Sequence, residues 1–304
     1  LSIVPPMTID FSPSSVIALY RVPHYTDVTV PSGATLATSP WDGSVGGVLV
    51  FRATGDVIVD GDIEVSALGF RGGPGVAGNS SAPLQGESYP GVGSAGNAGA
   101  NSGGGGAHPV TGDRGESGGG GAYGSGGGNG TQSDGQAVTS GGNAYGDASL
   151  SLWYLGSGGG AGSPDAEGDG NSSSNVTGAG GTGGGLLAVF VGQSITLSGS
   201  ITSNGANGAD AVSGGGEVGG GGGAAGGQIQ LSAPSIVITG LVSAVGGSGG
   251  RSYGDSGVYG SGIGGSGSDG RVRIDYDTLN GVAFPGGDLS VSDPDAGHQQ
   301  SPGN

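Results

Sequence analysis

The sequence predicts an all-β protein: a glycine-rich β-solenoid with polyglycine-II-like layers and a separate N-terminal β segment. Three observations carry that expectation. A unit opening on a Gly pair recurs at residues 46–73, 184–208 and 226–250, with a truncated copy at 270–281. Within each copy apolar and polar residues alternate with period two, which places one set of side chains on one face of a strand. Between the copies lie long runs of glycine, in a chain that has 80 Gly among 304 residues.

The alternating pairs are Val57 and Val59 followed by Ile63 and Val65; Ile195 and Leu197 followed by Ile201; Ile236 and Ile238 followed by Val242. β-branched residues suit such a pleated, half-buried surface. A single glycine separates the two runs in each copy. Gly61 follows Gly47 by fourteen positions, Gly199 follows Gly185 by fourteen, and Gly240 follows Gly227 by thirteen. These glycines read as corners, where a residue without a Cβ turns the chain. One unit of about 25 residues cannot bury its apolar face alone, so stacking is expected.

Residues 1–45 precede the units and are Gly-poor and Pro-punctuated, with strand candidates at 8–11, 16–21 and 27–30. Ile3, Val4, Met7, Ile9 and Phe11 make the leading arm apolar, while Pro5 and Pro6 break any long strand there. The arm either caps the open end of the solenoid or adds a strand to a neighbouring subunit. The repeat region spans 46–285, interrupted by an insertion at 73–182, and a polar tail follows at 286–304. The start at Leu1 is read as the removal of a signal or leader peptide.

A connection as long as 73–182 indicates a functional or independently organised segment. Ordering a backbone costs about 1–2 kcal/mol per residue, and glycine loses the most freedom. Aromatic residues are only 5% of the chain, so side-chain burial offsets little of that. Ordered glycine runs must therefore pair their N–H and C=O groups almost completely. An extended conformation with three residues per turn permits this between close neighbours. The runs at 103–106, 118–121, 126–128, 158–160, 183–185 and 214–223 are expected to form such a layer. The apolar island LSLWYL at 150–155 reads as a staple pinning the layer, with a ligand platform as the alternative. Four Asn-x-Ser/Thr sequons, at Asn79, Asn129, Asn171 and Asn175, fall inside the insertion and are candidate glycosylation sites of a secreted surface.

With 15 Pro and no sustained Gly every third residue, collagen is excluded. The formal charge is −17, carried by acidic residues against seven Arg and no Lys. Nucleic acid is disfavoured as a partner, because phosphate neutralisation needs a basic stripe. The acidity keeps a Gly/Ser surface soluble and is also compatible with a saline habitat. Cysteine is absent, which removes disulfides and thiolate metal sites. The longest apolar run, 186–191, is far too short to span a bilayer, so no membrane insertion is expected.

No catalytic constellation, cofactor motif or metal site is expected. Asp56, Asp60 and Asp62 form the best carboxylate group and read as a solvated outer face, with calcium bridging Asp60 and Asp62 as the lesser alternative. His24, His108 and His298 are far apart, without metal-ligand spacing. Glycine-rich phosphate motifs arise by chance in such a chain, and no helix follows them. The stretch GGSGSDGRV at 264–272 approaches a calcium-binding nonapeptide, but its apolar residue is displaced by one and no tandem copy follows.

The combination of PWDGSVGGVLVFRATGDVIVDGDIEVSALGFRGG, GDASLSLWYLGSGGGAG and Gly-led strand units ending in NGANG or VGGSGG resembles glycine-rich repeat proteins of bacterial surfaces and of phage tail fibres or adhesins. It is also similar to polyglycine-rich modules of mycobacterial surface proteins. The resemblance covers residues 40–277. It implies a non-enzymatic role at a cell surface, virion surface or other extracellular site. The leading expectation is a structural subunit that assembles with copies of itself into a filament, fibre or coat. The alternative is an adhesin that binds a surface glycan or host receptor, and a polysaccharide-active enzyme is a distant third. An adhesin would place Tyr123, Tyr145 and Trp153 at an exposed tip.

Overall fold

A computed structural model describes residues 20–78, 82–108, 115–132, 135–147, 149–164, 175–212, 216–254, 259–279 and 299–300. Among them the chain is all-β. It makes successive passes through three sheets, always in the same order. The first pass comprises β1 (His24–Tyr25), β2 (Val28–Val30) and β3 (Thr35–Ala37); the second, β4 (Val48–Ala53), β5 (Val57–Val59) and β6 (Asp62–Glu64). After a small hairpin of β7 (Gly130–Thr131) and β8 (Ala137–Thr139) comes the third pass, β9 (Leu186–Val191), β10 (Ser194–Leu197) and β11 (Ser200–Thr202). The fourth is β12 (Gln228–Ser232), β13 (Ser235–Ile238) and β14 (Leu241–Ser243). A second hairpin, β15 (Arg251–Tyr253) and β16 (Tyr259–Ile263), precedes a partial fifth pass, β17 (Arg271–Asp275) and β18 (Thr278–Leu279), and β19 (Gln299–Gln300) follows.

The first sheet runs β1-β4-β9-β12-β17-β19, the second β2-β5-β10-β13-β18 and the third β3-β6-β11-β14. Every pairing within these three sheets is parallel. The registers stack like residues on like. Val28, Val57, Ile195, Ile236 and Leu279 form one column, and Leu36, Ile63, Ile201 and Val242 another. With Phe51, Val189, Leu231 and Ile274 of the first sheet, these columns form one hydrophobic cluster, buried except at Val28, Leu36 and Leu279, which are partly buried at its ends. A one-residue slip would turn each strand's apolar set outward, so the alternation itself fixes the register.

The corner glycines sit between the second and third sheets as expected, but for a different reason. None of Gly61, Gly199 and Gly240 has a positive φ. They are required by stacking: a Cβ on Gly199 would lie 1.9 Å from the Gly61 carbonyl oxygen, and one on Gly240 would lie 1.9 Å from that of Gly199.

The N-terminal segment is not separate. Its residues 24–37 pair with β4, β5 and β6 as the edge strands of all three sheets, so position 45 is no boundary between hydrogen-bonding systems. The pass was hidden because no Gly pair opens it and, in register, Ala34 precedes β3 where Gly61 precedes β6. Of the strand candidates, 27–30 corresponds to β2 and 8–11 lies outside the described residues. Of 16–21 only Tyr20 and Arg21 are described, and neither is in a strand. The tail expected to be peripheral contributes β19, which pairs with β17.

The insertion is likewise not independent. After the short link 38–47, three longer connections lead from the third sheet back to the first, across 65–185, 203–227 and 244–270, and their glycine segments bond to one another. The pattern has a three-residue period. Along 117–122, Ser117 and Gly120 donate to Thr131 and Gly128, Gly118 and Gly121 to Gly220 and Gly223, and Gly119 and Ala122 to Gly106 and Gly103. Along 219–227, Gly219, Gly222 and Ala225 donate to Ser163, Gly160 and Ser157, while Gly221, Ala224 and Gly227 donate to Ala209, Ala206 and Ser203. Each segment thus serves several neighbours in rotation. Side chains are excluded by backbone proximity: a Cβ on Gly105 would meet the Gly119 carbonyl oxygen at 1.8 Å, and one on Gly221 that of Ala179 at 1.9 Å.

Candidate functional site

The carboxylates singled out in the sequence line up on the outside of the second pass, and the third pass supplies their partners. Asp56, Asp60, Asp62 and Glu64 accept hydroxyl hydrogen bonds from Ser194, Ser198, Ser200 and Thr202 at 2.6, 2.6, 2.5 and 2.7 Å. Asp27 of the first pass accepts the Asp56 N–H at 2.8 Å. Because strand neighbours in adjacent passes lie side by side, this acid–hydroxyl ladder is a cross-strand device of the kind that supports sheets. Asp60 and Asp62 are each engaged by their own serine. No group of three metal-binding side chains converges among the described residues.

The aromatic residues gather at the seam between the glycine bundle and the first sheet. Tyr123 is fully buried, donates its hydroxyl to Gln228 Oε1 at 2.8 Å, and carries the Arg271 guanidinium 5.4 Å above its ring centre. Gln228 and Arg271 are the first residues of β12 and β17. Tyr145 lies 5.0 Å from Tyr123, 5.1 Å from Tyr89 and 5.4 Å from Tyr154, ring centre to ring centre. Its hydroxyl donates to the Leu155 carbonyl and accepts from Ser157 Oγ. Burial pushes the phenol pKa of Tyr123 and Tyr145 well up, because an ionised phenolate would lose its hydration there. An exposed tip is therefore overturned for Tyr123 and Tyr145: Tyr123 is buried, and Tyr145 is half-buried among the rings of Tyr89, Tyr123 and Tyr154.

The island at 150–155 acts at the same seam. Leu150 and Leu155 are buried, and Leu155 packs with Phe70, Leu186 and Ala188. Trp153 stacks on Phe190 with ring centres 6.0 Å apart, while remaining 42% exposed beside exposed Leu152. Asp147 fixes the turn into the island, accepting from Ser149 Oγ, Ser151 N and Oγ, and Leu152 N. Those donors hold its carboxyl well below the usual carboxylate range. The sequence identified the island from its apolar density. Gln228 and Arg271, polar residues opening aliphatic strands, gave no such signal.

At the first-pass end the described residues leave a hollow in the aliphatic interior. Inward-facing Val28, Leu36, Leu49 and Phe51, with Pro23 and Tyr25, line a hollow of about 310 Å³. β2 and β3 are the outermost strands of their sheets here, and β18 and β14 are outermost at the opposite end. In the sequence this end was legible only as the strand candidate at 27–30.

The remaining candidates do not come together. Asn129 is exposed, with its Oδ1 accepting the Gly141 N–H. Asn175 is 1% exposed, so its sequon is closed to a glycan in the folded chain; burial follows from its place beside the bundle. Asn79, Asn171, His298 and the arm residues Ile3, Val4, Met7, Ile9 and Phe11 lie outside the described residues. His24 is exposed on β1, whereas His108 sits 3.7 Å from buried Glu116. Among the described residues no helix is long and apolar enough to cross a membrane. No protein-family model, curated protein or solved structure matches this chain.

Proposed function

We propose that the chain is a non-enzymatic structural subunit of an extracellular or virion-exposed assembly, a filament, fibre or coat, in which copies associate through β-strand edges. In this reading the three sheets are a β-solenoid and the glycine segments a polyglycine-II bundle grown from one of its corners. The observation that carries the proposal is the common polarity of the three sheets. With every pairing parallel, the first-pass edge of one copy is matched in direction to the last-pass edge of another. Such a head-to-tail contact does not close on itself and so propagates. Main-chain pairing at an exposed edge supplies affinity, and a hollow beside it supplies specificity.

The hollow lined by Val28, Leu36, Leu49 and Phe51 suits an apolar segment, and the arm with Ile3, Val4, Met7, Ile9 and Phe11 is the segment we assign to it, donated by a neighbouring copy. The test is deletion of residues 1–12. A folded, soluble monomer that no longer assembles is the expected outcome; unchanged oligomers or filaments would rule the proposal out. The second reading, an adhesin, is favoured by exposed Trp153 and Leu152 on the rigid seam. Exposed aromatics on a fixed backbone are suited to recognition.

A further inference from the structure

The outward face of the first sheet carries a row unlike the rest of this acidic chain. His24, Arg52, Phe190, Ser232 and Asp275 are consecutive register partners across five strands. They therefore stand side by side at about the 4.8 Å spacing of neighbouring strands. Where the row meets the corner towards the second sheet, His24, Arg52, Thr54, Phe190 and Ser232 line a hollow of about 360 Å³.

The charges around the hollow are unevenly committed. Arg273 of β17, at the far end of the row, is tied to Asp275 at 2.9 Å. Arg52 is exposed, and its contact among the described residues is with an aromatic ring: its guanidinium lies 5.4 Å from the Phe190 ring centre. Of the acids that lead into the second sheet, Asp56 accepts from Ser194 and Asp27 from the Asp56 N–H. A guanidinium steadied over a ring keeps its planar fork of donors in place without neutralising its charge. His24 beside it adds a further nitrogen donor, and Thr54 and Ser232 add hydroxyls. Phe190, extended by the stacked and exposed Trp153, supplies the apolar strip.

We propose that this hollow binds an acidic saccharide of the uronic-acid type. Its carboxylate meets Arg52, its ring hydroxyls meet Thr54 and Ser232, and the C–H surface of the ring lies along the Phe190–Trp153 strip. A carboxylate on guanidinium is the strong, directional contact, and the ring contacts choose among carboxylates. The size fits a single sugar unit, at the small end of ligand sites. The inference does not rest on the assembly reading: its carboxylate contact is Arg52 of β4, one strand in from the edge strand β1 that supplies His24.

The experiment is titration calorimetry on the full chain with trigalacturonate, with neutral trigalactose, and with acetate as a bare carboxylate. Binding of trigalacturonate alone is expected. R52Q should weaken it by about tenfold or more, the loss of one charged hydrogen-bonding partner; R52K should fall between. Thermal melting of each variant confirms the fold, and the exposed position of Arg52 leaves that unchanged. Equal affinity for the neutral trimer, unaltered affinity in R52Q, or no measurable binding would overturn the site. Acetate displacing the trimer at equal carboxylate concentration would show anion binding only and overturn the saccharide assignment.

Discussion

The sheets and the glycine bundle reach the same end by opposite means. In the sheets, columns such as Val57, Ile195 and Ile236 fill an interior, and backbone pairing follows one direction across each strand. In the bundle there is almost no side chain to bury, and each segment's N–H groups turn to successive neighbours every third residue. One region is held by apolar surface removed from water, the other by backbone pairing along the glycine segments. The comparison teaches that an interior can be dense without being hydrophobic, provided that nothing larger than hydrogen stands where a neighbouring carbonyl approaches.

That distinction breaks most sharply on Gly221→Ala. In an ordinary extended segment this change gains a little by restricting the unfolded chain. Here the new methyl would sit 1.9 Å from the Ala179 oxygen, a backbone atom that cannot rotate away. A loss of about 4 kcal/mol or more is expected, in the range reserved for severe steric change. Ala224→Gly, three residues along the same segment, should cost only about 1 kcal/mol of chain entropy. Chemical denaturation of both variants checks the pair, and equal effects would dissolve the contrast.

Next in size is Leu197→Ala in the sheet core, where Leu197 is fully buried. The expected loss is about 2–5 kcal/mol, transfer plus cavity. Hydrogen exchange sharpens the comparison further: Gly105, Gly119 and Gly222 should exchange as slowly as the amides of β10, because global opening is needed to free them. Fast exchange across 103–128 would mean that the bundle is held by something other than its backbone bonds.

A smaller effect is expected at the seam joining the two regions. Tyr123 and Tyr145 have raised folded pKa values, the cause being burial. Their contribution is therefore fully present below the unfolded tyrosine pKa of about 10 and is lost as pH rises through the folded values. Melting temperature should hold steady from pH 7 to 9 and fall above pH 10, and Tyr145→Phe should flatten that fall. A midpoint independent of pH up to 11 would contradict it. Smallest of all is Ser198→Ala, which removes one partner of exposed Asp60. About 0.5 kcal/mol or less is expected, since water replaces the hydroxyl.

What the sequence determined by itself is local. Alternation at Val57, Val59 and Ile63 made strands, the repeated Gly spacing marked the passes, and backbone accounting required the glycine runs to pair. Those features depend on the chain's own period and on the cost of leaving N–H groups unpaired, both readable without coordinates. Which residues meet was decided by tertiary structure. Asp60 finds Ser198 and Tyr123 finds Gln228 across more than a hundred residues. The first pass and its hollow carried no Gly-led signature. Arg52 and Phe190 became neighbours only when β4 and β9 settled into register. Even the corner glycines owe their identity to the carbonyl of the preceding pass rather than to their own φ. A glycine's reason lies in what approaches it, and approach is a property of the packed chain.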